Sequence, residues 1–272
     1  MSGNGNDFIV IDNRFYNFSA EELADLARRF CPRRTGIGAD GILAYMLPDD
    51  AAHQYRMKYF NADGSLGTMC GNGARCLARF ARKSGVVEET MQFESDAGVY
   101  RATAGPDDDN PVRIYVQPPQ ALALEKLSHP ELHQPAHYIW TGTEHLVSFT
   151  ESLDAVPVVA LGRVLRNDAT LAPNGANVNF VAVEESGAHD APAQLRVRTY
   201  EKGVEDETLA CGTGAMASAV IAKKTGLIAS TTVQVHMAGG ILGVGFDETA
   251  DAVENLYLEG VVETIYRGTT EV

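Results

Sequence analysis

No stretch of the 272-residue chain approaches the roughly 20 apolar residues that a membrane-spanning helix needs. The opening MSGNGNDF has neither a basic region nor an apolar core, so no secretory leader is expected and the cytoplasm is the expected location. Positive charge is scarce: 22 Lys and Arg face 36 Asp and Glu, a net −14 that argues against nucleic acid and anionic membrane surfaces as partners. A small anionic substrate stays open, because local donors can outweigh a distant net charge. Only four cysteines occur, and they fit no zinc spacing: there is no CxxC, and Cys70 and Cys76 stand six apart. No metal is therefore expected, and reduced thiols in a reducing compartment are the simpler reading. GNGNDF (3–8) looks superficially like a phosphate loop but has neither Gly-Lys-Ser/Thr nor GxGxxG spacing.

What is present is a repeat. Residues 70–86 read CGNGARCLARFARKSGV and residues 211–227 read CGTGAMASAVIAKKTGL, identical at eight of seventeen positions. Each begins Cys-Gly-x-Gly-Ala and becomes an Ala- and Lys-rich helix ending at Gly. Before each block, YRMKYFNADGS (55–65) and LRVRTYEKGVEDE (195–207) alternate like half-buried strands and break into an acidic turn, with Asn61 opposite Glu201. After each, MQFESDAGVYRATA (91–104) and VQVHMAGGILGVGF (233–246) read as strand pairs with a Gly-containing turn. The expected fold is α/β of the α+β type: two copies of one unit related by a pseudo-two-fold, with the site between them. The boundaries expected are 1–117 plus 261–272 for the first domain and 118–260 for the second. Ser19-x-x-Glu22 predicts a capped helix over about 20–30 that Pro32 stops. PDDDNP (106–111) predicts a turn, the Pro-rich 117–135 an irregular crossover, and 112–117, 177–183 and 261–268 strands. Cys31 and Cys76 read as core packing.

A helix start concentrates unpaired N–H groups and partial positive charge, which lowers a thiol's pKa and binds carboxylate. Glycines after the cysteine let a substrate approach the backbone. Two such starts facing one substrate would put a sulfur on each face of an α-carbon and its carboxylate between the helix ends. One sulfur removing the α-proton and the other supplying one inverts the centre, a two-base racemisation that needs neither metal nor pyridoxal phosphate.

These residues together resemble the diaminopimelate epimerase family. GNGNDFIVID, GIGADG, FNADGSLGTMCGNGARC, NVNFVAV, YEKGVEDETLACGTGA and the C-terminal YRG fall in the family's order over nearly the whole chain. The resemblance implies domains that each wrap strands around a central helix, a cleft between them, and a C-terminal strand returning to the first domain. It implies Cys70 and Cys211 as the acid/base pair, and Gly71, Asn72, Gly212 and Thr213 as helix-start positions that hold the reacting carboxylate. Asn6, Asn61 and Asn177 match amides lining the substrate. Glu201 matches a carboxylate near the substrate ammonium that also tunes a cysteine, His145 matches a histidine with the same tuning role, and Tyr266 matches a position near a homodimer contact. No cofactor is implied, and the partner is a small amino-acid substrate.

Three departures stand out. Lys202 replaces the family's usual Arg, exchanging a two-pronged carboxylate grip for a point charge. Gly142-Thr143-Glu144-His145 replaces the usual Gly-Asn-Pro-His, and Thr143, Glu144 and Lys202 all fall where the distal end of the substrate is gripped. The chain also begins almost on GNGND, so a shortened first strand, or a misplaced start codon, is expected. The leading expectation is therefore epimerisation of LL- to meso-2,6-diaminopimelate in lysine and peptidoglycan-precursor synthesis. A related racemase with another distal group is the alternative, and a thiol redox switch or amino-acid-binding protein is the alternative of another class.

Overall fold

The computed structural model describes residues 1–85, 87–185, 191–249 and 252–271. Contacts divide the chain into two units, Met1–Tyr115 with Glu259–Val272, and Val116–Leu258. The fold is mixed α/β with few helices, and no helix among the described residues is long and apolar enough to cross a membrane.

The first unit opens with strands β1 (Ser2–Gly3) and β2 (Asn6–Asp12), followed by the one-turn helix α1 (Asn13–Tyr16) and by α2 (Ala20–Phe30). Ser19 and Glu22 close the expected capping box, and Leu23, Ala24, Leu26 and Ala27 form the buried face of α2. Strands β3 (Gly41–Met46), β4 (Tyr55–Asn61) and β5 (Leu66–Gly67) lead to helix α3 (Gly71–Lys83), and β6 (Thr90–Ser95), β7 (Gly98–Ala104) and β8 (Val112–Tyr115) follow. Strand β2 runs parallel to β3, β4 antiparallel to β3 and parallel to β6, and β7 antiparallel to both neighbours.

The second unit repeats this order. Strands β9 (Gln120–Leu127), β10 (Ala136–Trp140) and β11 (Glu144–Phe149) precede α4 (Val158–Arg166), β12 (Asn177–Glu185), β13 (Ala193–Glu201) and β14 (Asp206–Thr208). Then come α5 (Gly212–Lys224), β15 (Thr232–Met237), β16 (Gly240–Glu248) and β17 (Val253–Gly260), while β18 (Val262–Glu263) belongs to the first unit. The pairing is the same: β11 parallel to β12, β13 antiparallel to β12 and parallel to β15, β16 antiparallel to β15. In each unit one helix is central and one covers the other side of the sheet. Apolar side chains gather around α3 and α5 in two clusters and beneath α2 and α4 in two more. Helix α5 is buried at every residue from Gly214 to Ala222, which small side chains permit. Cys76 lies in the cluster around α3 and Cys31 in the one beneath α2.

Two expected elements differ. Part of the Pro-rich 117–135 segment is strand β9, most of whose side chains are exposed and which is held by backbone pairing to β10 with shifts of register. The expected last strand is two residues long: Val262 and Glu263 pair with Gly3 and Ser2, and 264–271 has no regular structure.

Candidate active site

In the first unit, Cys70 is the N-cap of α3, in extended backbone, and its side chain makes no capping hydrogen bond. The first helical bond is Ala74 N–H to Cys70 O at 2.8 Å, so the amides of Gly71, Asn72 and Gly73 stand ahead of the intrahelical ladder. The Cys70 thiol donates to Asn6 Oδ1 at 3.6 Å, and Asn72 Nδ2 donates to the same oxygen at 3.3 Å. Asn6 is oriented from behind, where its Nδ2 donates to Asp40 Oδ2. Asp40 in turn is paired with Arg33, which also grips Asp7. Cys70, Asn6 and Asn72 are thus brought together. Asn61 is occupied in its own turn: its amide donates to Ser65 Oγ at 2.9 Å and its oxygen accepts from Tyr59. The negative charge Cys70 carries when ionised helps push the Tyr59 phenol up, after the larger effect of burial, so Tyr59 links Asn61 to the sulfur.

In the second unit, Cys211 is the N-cap of α5, again extended and without a capping bond. Its sulfur lies 3.5 Å from Thr213 Oγ1. Thr213 O accepts from Thr141 Oγ1 at 2.9 Å, which seats the β10–β11 turn on the helix start. A Cβ on Gly214 would run into Asn179 Oδ1 and stand 3.3 Å from the Cys211 sulfur, and one on Gly212 would stand 2.6 Å from Leu258 Cδ2. Packing alone therefore requires both glycines here.

The expected acidic thiol is reversed at Cys211. Burial, then the negative charge of Glu201, push its pKa up to about 12, and the Thr213 hydroxyl with the amides of Thr213 and Gly214 offsets only part of this. Glu201 is itself raised by burial, against a hydrogen bond from Thr208 Oγ1 at 2.8 Å.

His145 lies on β11 and is fully buried. Burial, then the Lys202 charge, hold it down to about 3, so it is neutral at working pH. Its Nδ1 faces Asn179 Nδ2 at 3.1 Å, while its Nε2 is buried without a partner. Asn179, which sequence reasoning missed, also donates to Leu146 O and accepts from Thr199 at 2.9 Å. The signal was available: on a strand, 179 shares the face of 177.

Two of the departures from the family pattern, Lys202 and the Thr143-Glu144 pair, meet. Lys202 Nζ pairs with Glu144 Oε2 at 2.6 Å, and Thr143 Oγ1 and Asn174 Nδ2 donate to the same carboxylate at 3.0 and 2.9 Å. Despite the cost of partial burial, Lys202, with the backbone amide of Glu144 itself and the Thr143 hydroxyl, holds Glu144 down to about 2. Asn177 clamps the same corner: its Nδ2 donates to Glu144 O at 3.0 Å and its Oδ1 accepts from Lys202 N at 2.8 Å, using both ends of the amide on backbone. Tyr266 lies apart, exposed in the irregular C-terminal stretch. Two surface recesses of about 120 and 380 Å³ contain neither cysteine.

Comparison with known proteins places the chain in a family. The diaminopimelate epimerase family model matches residues 1–122 and 137–264. A diaminopimelate epimerase of Chlorobaculum tepidum is 40% identical over 99% of both chains, and one of Flavobacterium psychrophilum is 36% identical over 98% of this chain and 97% of the relative. Among solved structures, a PhzF-family phenazine biosynthesis protein of Bacillus anthracis has a TM-score of 0.68 at 17% identity, covering 96% of this chain and 92% of its own. A hydroxyproline epimerase of Agrobacterium vitis has a TM-score of 0.65 at 16% identity, covering 96% and 86%. The two structures share the fold; the sequence matches, nearly full length, establish that the chain belongs to the diaminopimelate epimerase family.

Proposed function

We propose that this chain is an isomerase that interconverts LL- and meso-2,6-diaminopimelate, in lysine and peptidoglycan-precursor synthesis, by two-base proton transfer without a cofactor. The observation that carries the reading is the cysteine that caps the central helix in each of two like-ordered units, in a member of this family. One sulfur, as thiolate, takes the α-proton; the bonding pair left on carbon spreads into the carboxylate, and the other sulfur's S–H supplies a proton to the opposite face. One proton enters and one leaves the carbon, and the enzyme finishes with its thiol and thiolate exchanged. Gly71, Asn72, Gly212 and Thr213 supply helix-start amides to the carboxylate where negative charge builds.

The charge environment of Cys211 supports a reading of the starting roles, which exchange with the direction of reaction. Cys211, buried beside Glu201, keeps its proton and enters as the acid, which leaves Cys70 as the base. Asn6 and Asn61 line the substrate from the first unit. Asn177, Glu201 and the Thr143–Glu144–Lys202 corner meet the ammonium and the distal end, and His145, neutral, packs behind them. The domain assignment, 1–117 plus 261–272 with the first cysteine and 118–260 with the second, belongs to the same reading. So do a cytoplasmic location and a homodimer with Tyr266 at its contact, for which exposed Ile265 and Tyr266 supply an apolar surface.

The test is proton–deuterium exchange at the α-carbon of diaminopimelate in D2O under reducing conditions, beside a panel of other amino acids. Exchange with diaminopimelate foremost is expected. No exchange refutes the function, and faster exchange with another amino acid favours a racemase of different distal specificity. The Glu144–Lys202 pair motivates that second reading, since it already satisfies the cation expected to meet a distal carboxylate.

A further inference from the structure

Arg75 lies on α3 one turn beyond Cys70 and is completely buried. Its Nη2 donates to Asn4 Oδ1 at 2.7 Å and to Asn72 Oδ1 at 2.9 Å, while its Nε and Nη1 have no hydrogen-bond partner. Among the described residues no carboxylate forms an ion pair with it. Burial lowers its pKa to about 10, so it remains cationic at neutral pH. A buried guanidinium without a counter-ion is costly, and its persistence needs a reason.

The anions that act on Arg75 are the ionised forms of Cys76 and Cys70. Cys76 is pushed by burial up to about 12 and stays a thiol. Of these two, Cys70 is the one able to become its counter-ion. Arg75 also sets the polarity of the side chains around that sulfur. It engages Asn72 Oδ1, so Asn72 turns its N–H2 to Asn6. Asn6, tied to Asp40, presents its oxygen to the Cys70 thiol, which favours the protonated form. The Tyr59 phenol is neutral, and the Cys76 thiol is neutral as well. Two positive charges act here: Arg75 and the Met1 ammonium, both of which bear on the Cys76 thiol; Arg75 is the one tied to the Cys70 sulfur through Asn72 and Asn6. The matching helix position in the other unit is Met216, and there the neighbouring charge is the carboxylate of Glu201. Cys70 therefore has a buried cation in its hydrogen-bond network, whereas the charge that acts on Cys211 is an anion.

We propose that Arg75 is a positioning residue for the epimerisation: its buried charge, with the Asn72–Asn6 relay it orients, makes Cys70 the more acidic of the two cysteines and so the resting base. This rests on the two-base reading above. The test does not need turnover. Iodoacetamide alkylation of the full-length protein is followed by mass spectrometry at each cysteine as a function of pH, since the midpoint of the rate profile is independent of how open each sulfur is.

In the unaltered protein the Cys70 midpoint is expected at least about one pH unit below that of Cys211, the interval equivalent to a tenfold difference in thiolate fraction. Equal midpoints, or the reverse order, overturn the proposal. Arg75→Met borrows the residue that the other unit packs at the same position. It is expected to move the Cys70 midpoint up by about one unit or more and to leave Cys211 unmoved, while Arg75→Lys restores most of the shift. An unshifted Cys70 in folded Arg75→Met, or Arg75→Lys matching Arg75→Met, overturns it. Should Arg75→Met not fold, Arg75→Gln takes its place, with the same expected rise of the Cys70 midpoint and the same overturning result. Failure of diaminopimelate turnover with the thiol asymmetry intact would count against the function alone.

Discussion

Replacing Glu144 with Gln removes one charge from a corner whose geometry is fully specified. The carboxylate accepts from Lys202, Thr143 and Asn174, whereas an amide oxygen can retain only part of that set. Its pKa stands at about 2 against an ordinary 4.5, a difference equivalent to roughly 3 kcal/mol at about 1.4 kcal/mol per unit. The Glu144 and Lys202 side chains are 17% and 24% exposed, so solvent screens the pair and about 1–2 kcal/mol is the expected loss at pH 7. The folded pKa lies below the unfolded one. The stabilisation is therefore full above about pH 4.5 and is lost as pH falls toward 2. Because Gln does not titrate, the gap between the two proteins should close across that window. The assay is urea unfolding followed by the fluorescence of the single tryptophan, Trp140, which pairs with Glu144 across the β10–β11 hairpin. Equal stabilities at pH 7, or a gap that persists undiminished at pH 3, would refute the reasoning.

Other consequences follow from the same geometry. Glu201→Gln removes the negative charge that helps hold the proton on Cys211 while a side-chain oxygen remains for Thr208. Alkylation of Cys211 at pH 8 should quicken by up to about tenfold for each unit its pKa falls, and an unchanged rate would remove Glu201 as a tuning group. The ring protons of His145 should keep neutral-imidazole NMR shifts down to below pH 5, since its pKa is held near 3; titration near pH 6.5 would contradict its burial. Gly214→Ala must push Asn179 or the Cys211 sulfur aside. The expected cost is about 1–3 kcal/mol of stability in urea unfolding, and a neutral substitution would show that the helix start is looser than drawn.

The helix starts were legible because a repeat exposes them: eight shared positions tied Cys70 to Cys211 before any geometry was known. The hairpins after each helix were legible from alternation broken by Gly. Strand β9 was not, because most of its side chains point outward and carry no burial pattern, and it is held chiefly by pairing to β10, with Leu127 its one buried side chain. Nor was the state of Cys211. A helix start argues for an acidic thiol, but burial and Glu201 outweigh it, and neither is visible without the packing. Residue type also overstated the freedom of the asparagines, since Asn61 and Asn177 spend their amides on neighbouring turns and backbone. Arg75 drew no notice in the repeat, although its counterpart is an uncharged Met216. The sequence difference was plain, but its meaning depended on finding the guanidinium buried without a carboxylate.

The two-base chemistry is most directly tested by isotopic labelling at early conversion. With LL-diaminopimelate in D2O, the account requires that the first meso product carry solvent deuterium at the inverted carbon while recovered LL substrate stays protiated there. The same must hold in reverse from meso substrate, because the sulfur that removes the proton is not the one that delivers its replacement. Product that retains the original hydrogen, or deuterium entering recovered substrate as fast as product, would contradict it.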